Sequence, residues 1–261
     1  AKRLPIQGFR RNQPAMTTSF TDTLASYRAE IDALDSELIA LLKRRIGIIH
    51  KVAALKAEHT PAACHIRPGR EGEMHRRIFD TFRNHDFPAT AALAIWRQII
   101  GASTHLESPI TVAVAGGPEL RWHAREYFGR GVKFLEAKNA EEAMALVEAK
   151  TATIALLPAP TDANLADWAV VAQHENLHLF ASLPMVLAEE ESPAAYAVAA
   201  VPPEPSGADV SLLLVPISEG VEGSVLAENA THKIVAVDGV SHDPRSLGSA
   251  PVPLTDSSLQ P

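Results

Sequence analysis

A seam of apolar residues early in the chain limits what it can fold into. Leu24, Tyr27, Ile31, Leu34, Leu38 and Leu41, then Ile48, Val52 and Leu55, recur at steps of three and four, with one gap at position 45. This heptad pattern, held for more than four repeats, predicts one long helix. Ser19 and Thr21 are placed to cap its start. Thr60-Pro61 ends it, because the residue before a proline avoids helical backbone. At the usual rise the helix would reach roughly 55–60 Å. A seam that long cannot be buried within about ninety residues of one chain, and an intertwined dimer is the simple way to cover it.

Two shorter helices follow. One is predicted from Arg70 to Arg83, with Met74, Ile78 and Phe82 on one face, and Asn84 to Pro88 breaks it. The other runs from Thr90 to Leu106, with Leu93, Trp96 and Ile100 in register, and Pro109 closes the segment. Beyond Pro109 the pattern becomes mixed α/β. Strands are predicted at Ile110–Ala115, Lys133–Leu135, Ala152–Leu157, Leu177–Ala181, Tyr196–Val201, Val210–Val215 and Lys233–Val237, and helices at Glu119–Phe128 and Ala140–Ala149. The expected organisation is an all-α three-helix domain over 20–107 and an α/β domain over 110–240. Residues 241–261, rich in Ser, Pro and Asp, are expected to be a poorly ordered tail with an edge strand at Val252–Leu254. Residues 1–19 are expected to be disordered or an extension, since Met16-Thr17-Thr18 reads as a natural start.

Composition narrows the function classes. With 46% hydrophobic and 21% charged residues the chain is globular. Its single cysteine, Cys64, excludes an intrachain disulfide and fits a reducing, cytoplasmic setting. No run of 18 apolar residues is present, so no membrane partner is expected. Residues 1–107 hold 16 Lys and Arg against 11 Asp and Glu, and residues 108–261 hold 8 against 20. The basic half is either solvated surface or a site for a small anion. Nucleic acid is not expected, because no Lys/Arg stripe carries interleaved aromatics. The eleven histidines show no ligand spacing, so no metal site is expected. Cys64-His65 reads as loop, and Gly116-Gly117-Pro118 as a tight strand-to-helix turn.

Charge in the seam is the chemical signal. Arg45 stands where the register calls for an apolar residue. Lys56 follows eleven residues later, about three turns and 20° on, so it shares that face. Arg70-Glu71 opens the second helix, and Ser103 and Glu107 extend the Leu93/Trp96/Ile100 stripe. Each group taken alone reads as a buried ion pair or a snorkelling side chain. As a set, inward cations with few matching acids point to a bound anion.

These residues carry a resemblance. Tyr27 to Asp35, Leu38 to Leu42, Arg44-Arg45 and Lys56 resemble the first helix of the all-helical (type II) chorismate mutases. Ile66-Arg67-Pro68-Gly69-Arg70-Glu71 resembles the start of their second helix, and Ile95 to Ser103 their third. The resemblance implies a cofactor-free rearrangement of chorismate to prephenate in a domain-swapped homodimer. It implies that Arg28 serves the partner's site and that Arg45 pairs with a substrate carboxylate. Lys56 would contact a carboxylate and the breaking ether oxygen. Arg70 would position the substrate, Glu71 bind the ring hydroxyl and Ser103 contact a carboxylate. Glu107 stands where many relatives have glutamine facing the ether oxygen, and Arg67 where some have aspartate.

The second half is similar in pieces to prephenate dehydratase, at Val112 to Pro118, at Ile154 to Pro158, and at Pro203 to Asp209 followed by Leu212-Leu213-Leu214. That family's catalytic Thr-Arg-Phe motif is expected just before Val198, where this chain reads Ala194-Ala195-Tyr196. The expected function is therefore a chorismate mutase with a degenerate dehydratase-like region. The alternatives are a bifunctional mutase–dehydratase, an isochorismate pyruvate lyase, and a non-catalytic regulatory helical dimer.

Overall fold

The computed structural model describes residues 19–59 and 66–257. Ser19 opens the first helix, α1 (Phe20–His59), where its Oγ accepts the Thr21 amide at 3.3 Å. The helix runs 40 residues, about 60 Å at the usual rise. It buries none of them. Of the nine predicted seam residues, Tyr27, Ile31, Leu34, Leu38, Leu41, Ile48 and Leu55 are 54–60% exposed, and Leu24 and Val52 are half-buried. The expected stop at Thr60-Pro61, the Cys64-His65 pair, the start at Met16 and the last four residues lie outside the described residues.

By compactness the chain divides into Ala1–Ile48 and Ile49–Pro261. The second unit contains α2 (Pro68–Phe82) and α3 (Ala89–Glu107), which share a small core of Ile78, Phe79, Ala89, Ala92 and Leu93. Met185, Val186 and Leu254 of the α/β half pack against that core. The two shorter helices thus pack against the α/β domain.

The buried line of α3 is Ala89, Leu93, Arg97 and Gly101, at four-residue steps. This differs from the expected Leu93/Trp96/Ile100 stripe, for Trp96 is 39% exposed. Gly101 supplies the reason. A Cβ there would sit 2.4 Å from the Phe128 carbonyl oxygen, so α3 rests backbone to backbone on the following helix. That contact rotates the helix away from the stripe that its bulky residues suggest.

The α/β half runs β1 (Thr111–Val114), α4 (Pro118–Phe128), β2 (Lys133–Glu136), α5 (Ala140–Glu148), β3 (Ile154–Pro158) and α6 (Leu165–Val171). It continues through β4 (His178–Leu183), β5 (Val186–Leu187), β6 (Ala195–Ala199), β7 (Asp209–Pro216), β8 (Ser224–Glu228), β9 (His232–Asp238), β10 (Ser246–Pro251) and β11 (Leu254–Thr255). Nine strands form one mixed sheet in the order β2-β1-β3-β6-β4-β10-β7-β9-β8. β2, β1 and β3 are mutually parallel, while β3–β6, β6–β4 and the β10–β7–β9–β8 run are antiparallel.

Alternation along β1 shows how the layers form. Val112 and Val114 face one core with Leu120, Ala124, Tyr127 and Phe128 of α4. Ala113 and its neighbour Ala115 face the other, with Met144 and Val147 of α5 and Trp168 of α6. Helices therefore cover both faces of the parallel part, as such sheets require.

The expected tail is corrected by β10. It lies inside the sheet between β4 and β7, and β11 pairs with β5. Gly, Ser and Pro make Ser246–Pro251 look like a loop, but here small residues are what the packing demands. Gly248 has φ 126° and pairs with Leu179, where a Cβ would fall 2.3 Å from the Leu179 carbonyl oxygen. No described helix is long and apolar enough to cross a membrane.

Candidate active site

The end of α1 and the end of α3 meet through an ion pair. Lys56 Nζ lies 2.5 Å from Glu107 Oε2, and both side chains are largely shielded. Lys56 sits in the last turn of α1, where a cation complements the helix dipole. One turn before Glu107, Ser103 is buried and donates its hydroxyl to the Ile99 carbonyl at 2.7 Å. The structure brings Lys56 to Glu107, with Ser103 one turn before Glu107 on the same helix. A lysine ammonium beside a carboxyl group and a hydroxyl can hold an anion or stabilise charge growing on an oxygen.

Glu71 forms a second centre. It opens α2 and is buried, and its Oε2 accepts Arg97 Nη1 at 2.6 Å. Arg97 is 1% exposed. The same Nη1 lies 3.0 Å from His75 Nε2, Nη2 donates to the Tyr127 carbonyl, and the guanidinium stands 4.0 Å over the Tyr127 ring. Burial, with the positive charges of Arg97 and Arg76, holds His75 down to about 2, so it stays neutral. Burial pushes the Tyr127 phenol up, and Glu71 adds to that shift.

The start of α2 is held from outside. No residue of its own caps it, and Pro68 stands in its first turn, where a missing amide costs nothing. Glu204 supplies the cap: Oε2 accepts the Gly69 amide at 3.3 Å, and the same carboxylate pairs with Arg67. The hydrogen bond from Arg67 holds the Glu204 carboxyl below its ordinary range, with the amides at Gly69 and Arg70 assisting. Arg67 thus has a role here in place of the aspartate of some relatives. Farther along α2, Arg76 donates to the Ser206 and Ala208 carbonyls.

Arg70, next to Glu71, is exposed. Arg28 and Arg45 lie on the part of α1 within Ala1–Ile48, exposed and half-buried respectively. Sequence reasoning set Lys56 on the Arg45 face and Ser103 and Glu107 on the Leu93 stripe, with Lys56 and Glu107 brought to one oxygen only by the resemblance, and it missed Arg97. The available signal was Gly101, whose four-residue spacing to Arg97, Leu93 and Ala89 marks the inward line. Among the described residues no cluster of three or more His, Cys, Asp or Glu is placed to hold a metal ion.

Residues 27–108 match the family model for chorismate mutase type II, so the chain carries that domain over its helical segment. The chain is 29% identical over 142 residues to the bifunctional chorismate mutase/prephenate dehydratase of Aquifex aeolicus, covering 52% of this chain and 39% of that protein. It is 26% identical over 145 residues to the protein of the same description from Neisseria gonorrhoeae, covering 55% and 39%. The chain therefore spans about two-fifths of the length of either curated relative. A crystal structure of prephenate dehydratase from Arthrobacter aurescens superposes with a TM-score of 0.37 at 11% identity, covering 58% of this chain and 92% of that one.

Proposed function

We propose that the helical segment is a chorismate mutase, rearranging chorismate to prephenate in a homodimer. The observation that carries the reading is the family match over residues 27–108, the span that contains Arg28, Arg45, Lys56, Arg70, Glu71 and Ser103. The reaction is a unimolecular rearrangement, so it needs no nucleophile and no cofactor. The protein has to hold a flexible dianion in its reactive shape, which is positioning. It also has to stabilise negative charge growing on the ether oxygen, which is electrostatics. In this reading Arg45 and Arg28, the latter from the partner protomer, take the carboxylates in bidentate contacts. Lys56 and Glu107 face the ether oxygen, Glu71 receives the ring hydroxyl, Arg70 orients the substrate and Ser103 contacts a carboxylate. The exposed seam of α1 supports the dimer, because a second α1 would cover it. A reducing, cytoplasmic setting fits the single cysteine.

The test is product identity. Incubated with chorismate, the protein yields prephenate; incubated with isochorismate, it yields no salicylate. Salicylate with no prephenate would replace the mutase by a lyase, and no product from either would leave a non-catalytic helical dimer.

The names of the two relatives favour a second reading, a bifunctional mutase–dehydratase. Ala194-Ala195-Tyr196 opposes it, since alanines stand where the threonine and the arginine of the dehydratase motif are expected. No phenylpyruvate is expected from prephenate at neutral pH, and enzyme-dependent phenylpyruvate would establish the bifunctional reading.

A further inference from the structure

We infer that Arg97 is a positioning residue for Glu71, and that the α/β domain, through the C-terminal end of α4, sets where Glu71 presents its carboxylate. The inference rests on the mutase reading, in which Glu71 receives the ring hydroxyl.

The geometry runs in one direction. Gly101 lets α3 lie against the Phe128-Gly129 backbone, which brings Arg97, one turn earlier, onto the end of α4. There the Tyr127 carbonyl takes Nη2, and the Tyr127 ring lies beneath the guanidinium. These two contacts fix the plane of the fork. Its other arm, Nη1, then points at α2, where Glu71 and His75 stand four residues apart on one face. His75 is neutral and accepts, so it does not compete with Arg97 as a cation. Arg97 engages Oε2 of Glu71, and a substrate hydroxyl would be received on Oε1.

A stabilising role alone explains this arrangement poorly. A buried ion pair loses in desolvation much of what it gains in attraction, and apolar residues of similar size often serve as well. A rigid, pre-oriented acid is what substrate positioning requires, and a planar guanidinium fixed on Tyr127 presents one N–H to Glu71 Oε2 in a set direction, where a lysine ammonium would rotate. The α/β domain also grips α2 at Arg67 and Arg76, through Glu204 and the Ser206 carbonyl, so the frame carrying Glu71 is fixed at both ends.

The test is a double-mutant cycle on the full chain, using Arg97→Lys, Glu71→Gln and the double variant. It reads kcat and KM for prephenate formation alongside the thermal midpoint. Arg97→Lys keeps the charge and the stem, and Arg97→Gln replaces it in the cycle if the lysine variant does not fold. Each single change should lower kcat/KM about tenfold to a hundredfold, the scale of a misplaced positioning group. The double variant should be no worse than the weaker single, because both remove the same oriented carboxylate. Losses that multiply, or an Arg97→Lys variant with wild-type kcat/KM, would overturn the inference alone. A wild-type protein that makes no prephenate would overturn the mutase reading and this inference together.

Discussion

At the scale of single residues, Glu107 carries the sharpest chemical question. A carboxylate facing the ether oxygen repels the charge that grows there, whereas a protonated acid or an amide donates to it. In the structure Glu107 also holds Lys56 at 2.5 Å, the cation expected to face the same oxygen. Glu107→Gln supplies an amide donor and releases Lys56 from its ion pair. The expected outcome is a kcat/KM for prephenate formation above that of the wild type. An unchanged kcat/KM would remove Glu107 from the ether oxygen. His75 gives a prediction about stability. Its folded pKa is about 2 against an ordinary value of 6.5. As pH falls below 6.5 the unfolded chain takes up a proton that the folded chain refuses, so stability is lost across that window. The slope from this one group is at most about 1.4 kcal/mol per pH unit. His75→Gln keeps an acceptor for Arg97 and removes the proton. Urea unfolding between pH 6 and 4 should show a shallower dependence in the variant, and equal slopes would mean that His75 charges in the folded protein.

At the scale of elements, the packing of α3 decides what the helices present. Gly101→Ala gains about 1 kcal/mol of helix propensity. It also forces a Cβ to 2.4 Å from a backbone oxygen that cannot swing aside, and overpacking of this kind costs about 1–3 kcal/mol. The clash wins, so the urea midpoint should fall and α3 should lift from α4; an unchanged or higher midpoint would show that the two backbones are not in contact. The same helix marks the limit of what sequence discloses. Its existence and length follow from periodicity, as do those of α1, α2 and most strands of the sheet. Its facing does not, because a glycine contact outweighs Trp96 and Ile100, and Arg97 does not look like core. β10 was hidden for a related reason. Its Gly248 is needed for close approach to Leu179, yet glycine and proline in a segment read as loop. Lys56, Ser103 and Glu107 were legible as polar groups on apolar seams, whereas the meeting of Lys56 with Glu107, like that of Glu71 with Arg97, depends on tertiary contact.

At the scale of the whole molecule, two facts support the proposed dimer. A helix of 40 residues buries none of them, and its apolar seam repeats every seven residues, as a helix-to-helix interface does. Arg28 lies about 100° from the Arg45 face by the helical angle, which suits a side chain that serves a different site from its neighbour. The central claim is that each mutase site is assembled from two copies of the chain, with Arg28 crossing between them. Arg28→Ala and Lys56→Ala should each be inactive alone. When they are mixed and allowed to exchange subunits, a heterodimer carries both lesions in one site and neither in the other. Statistical exchange at equal concentrations should restore about a quarter of wild-type turnover. The direct measurement is prephenate formation by that mixture, with subunit exchange monitored on separately labelled protomers. Recovery near a quarter is the predicted result, and complete exchange with no recovery would contradict the shared site.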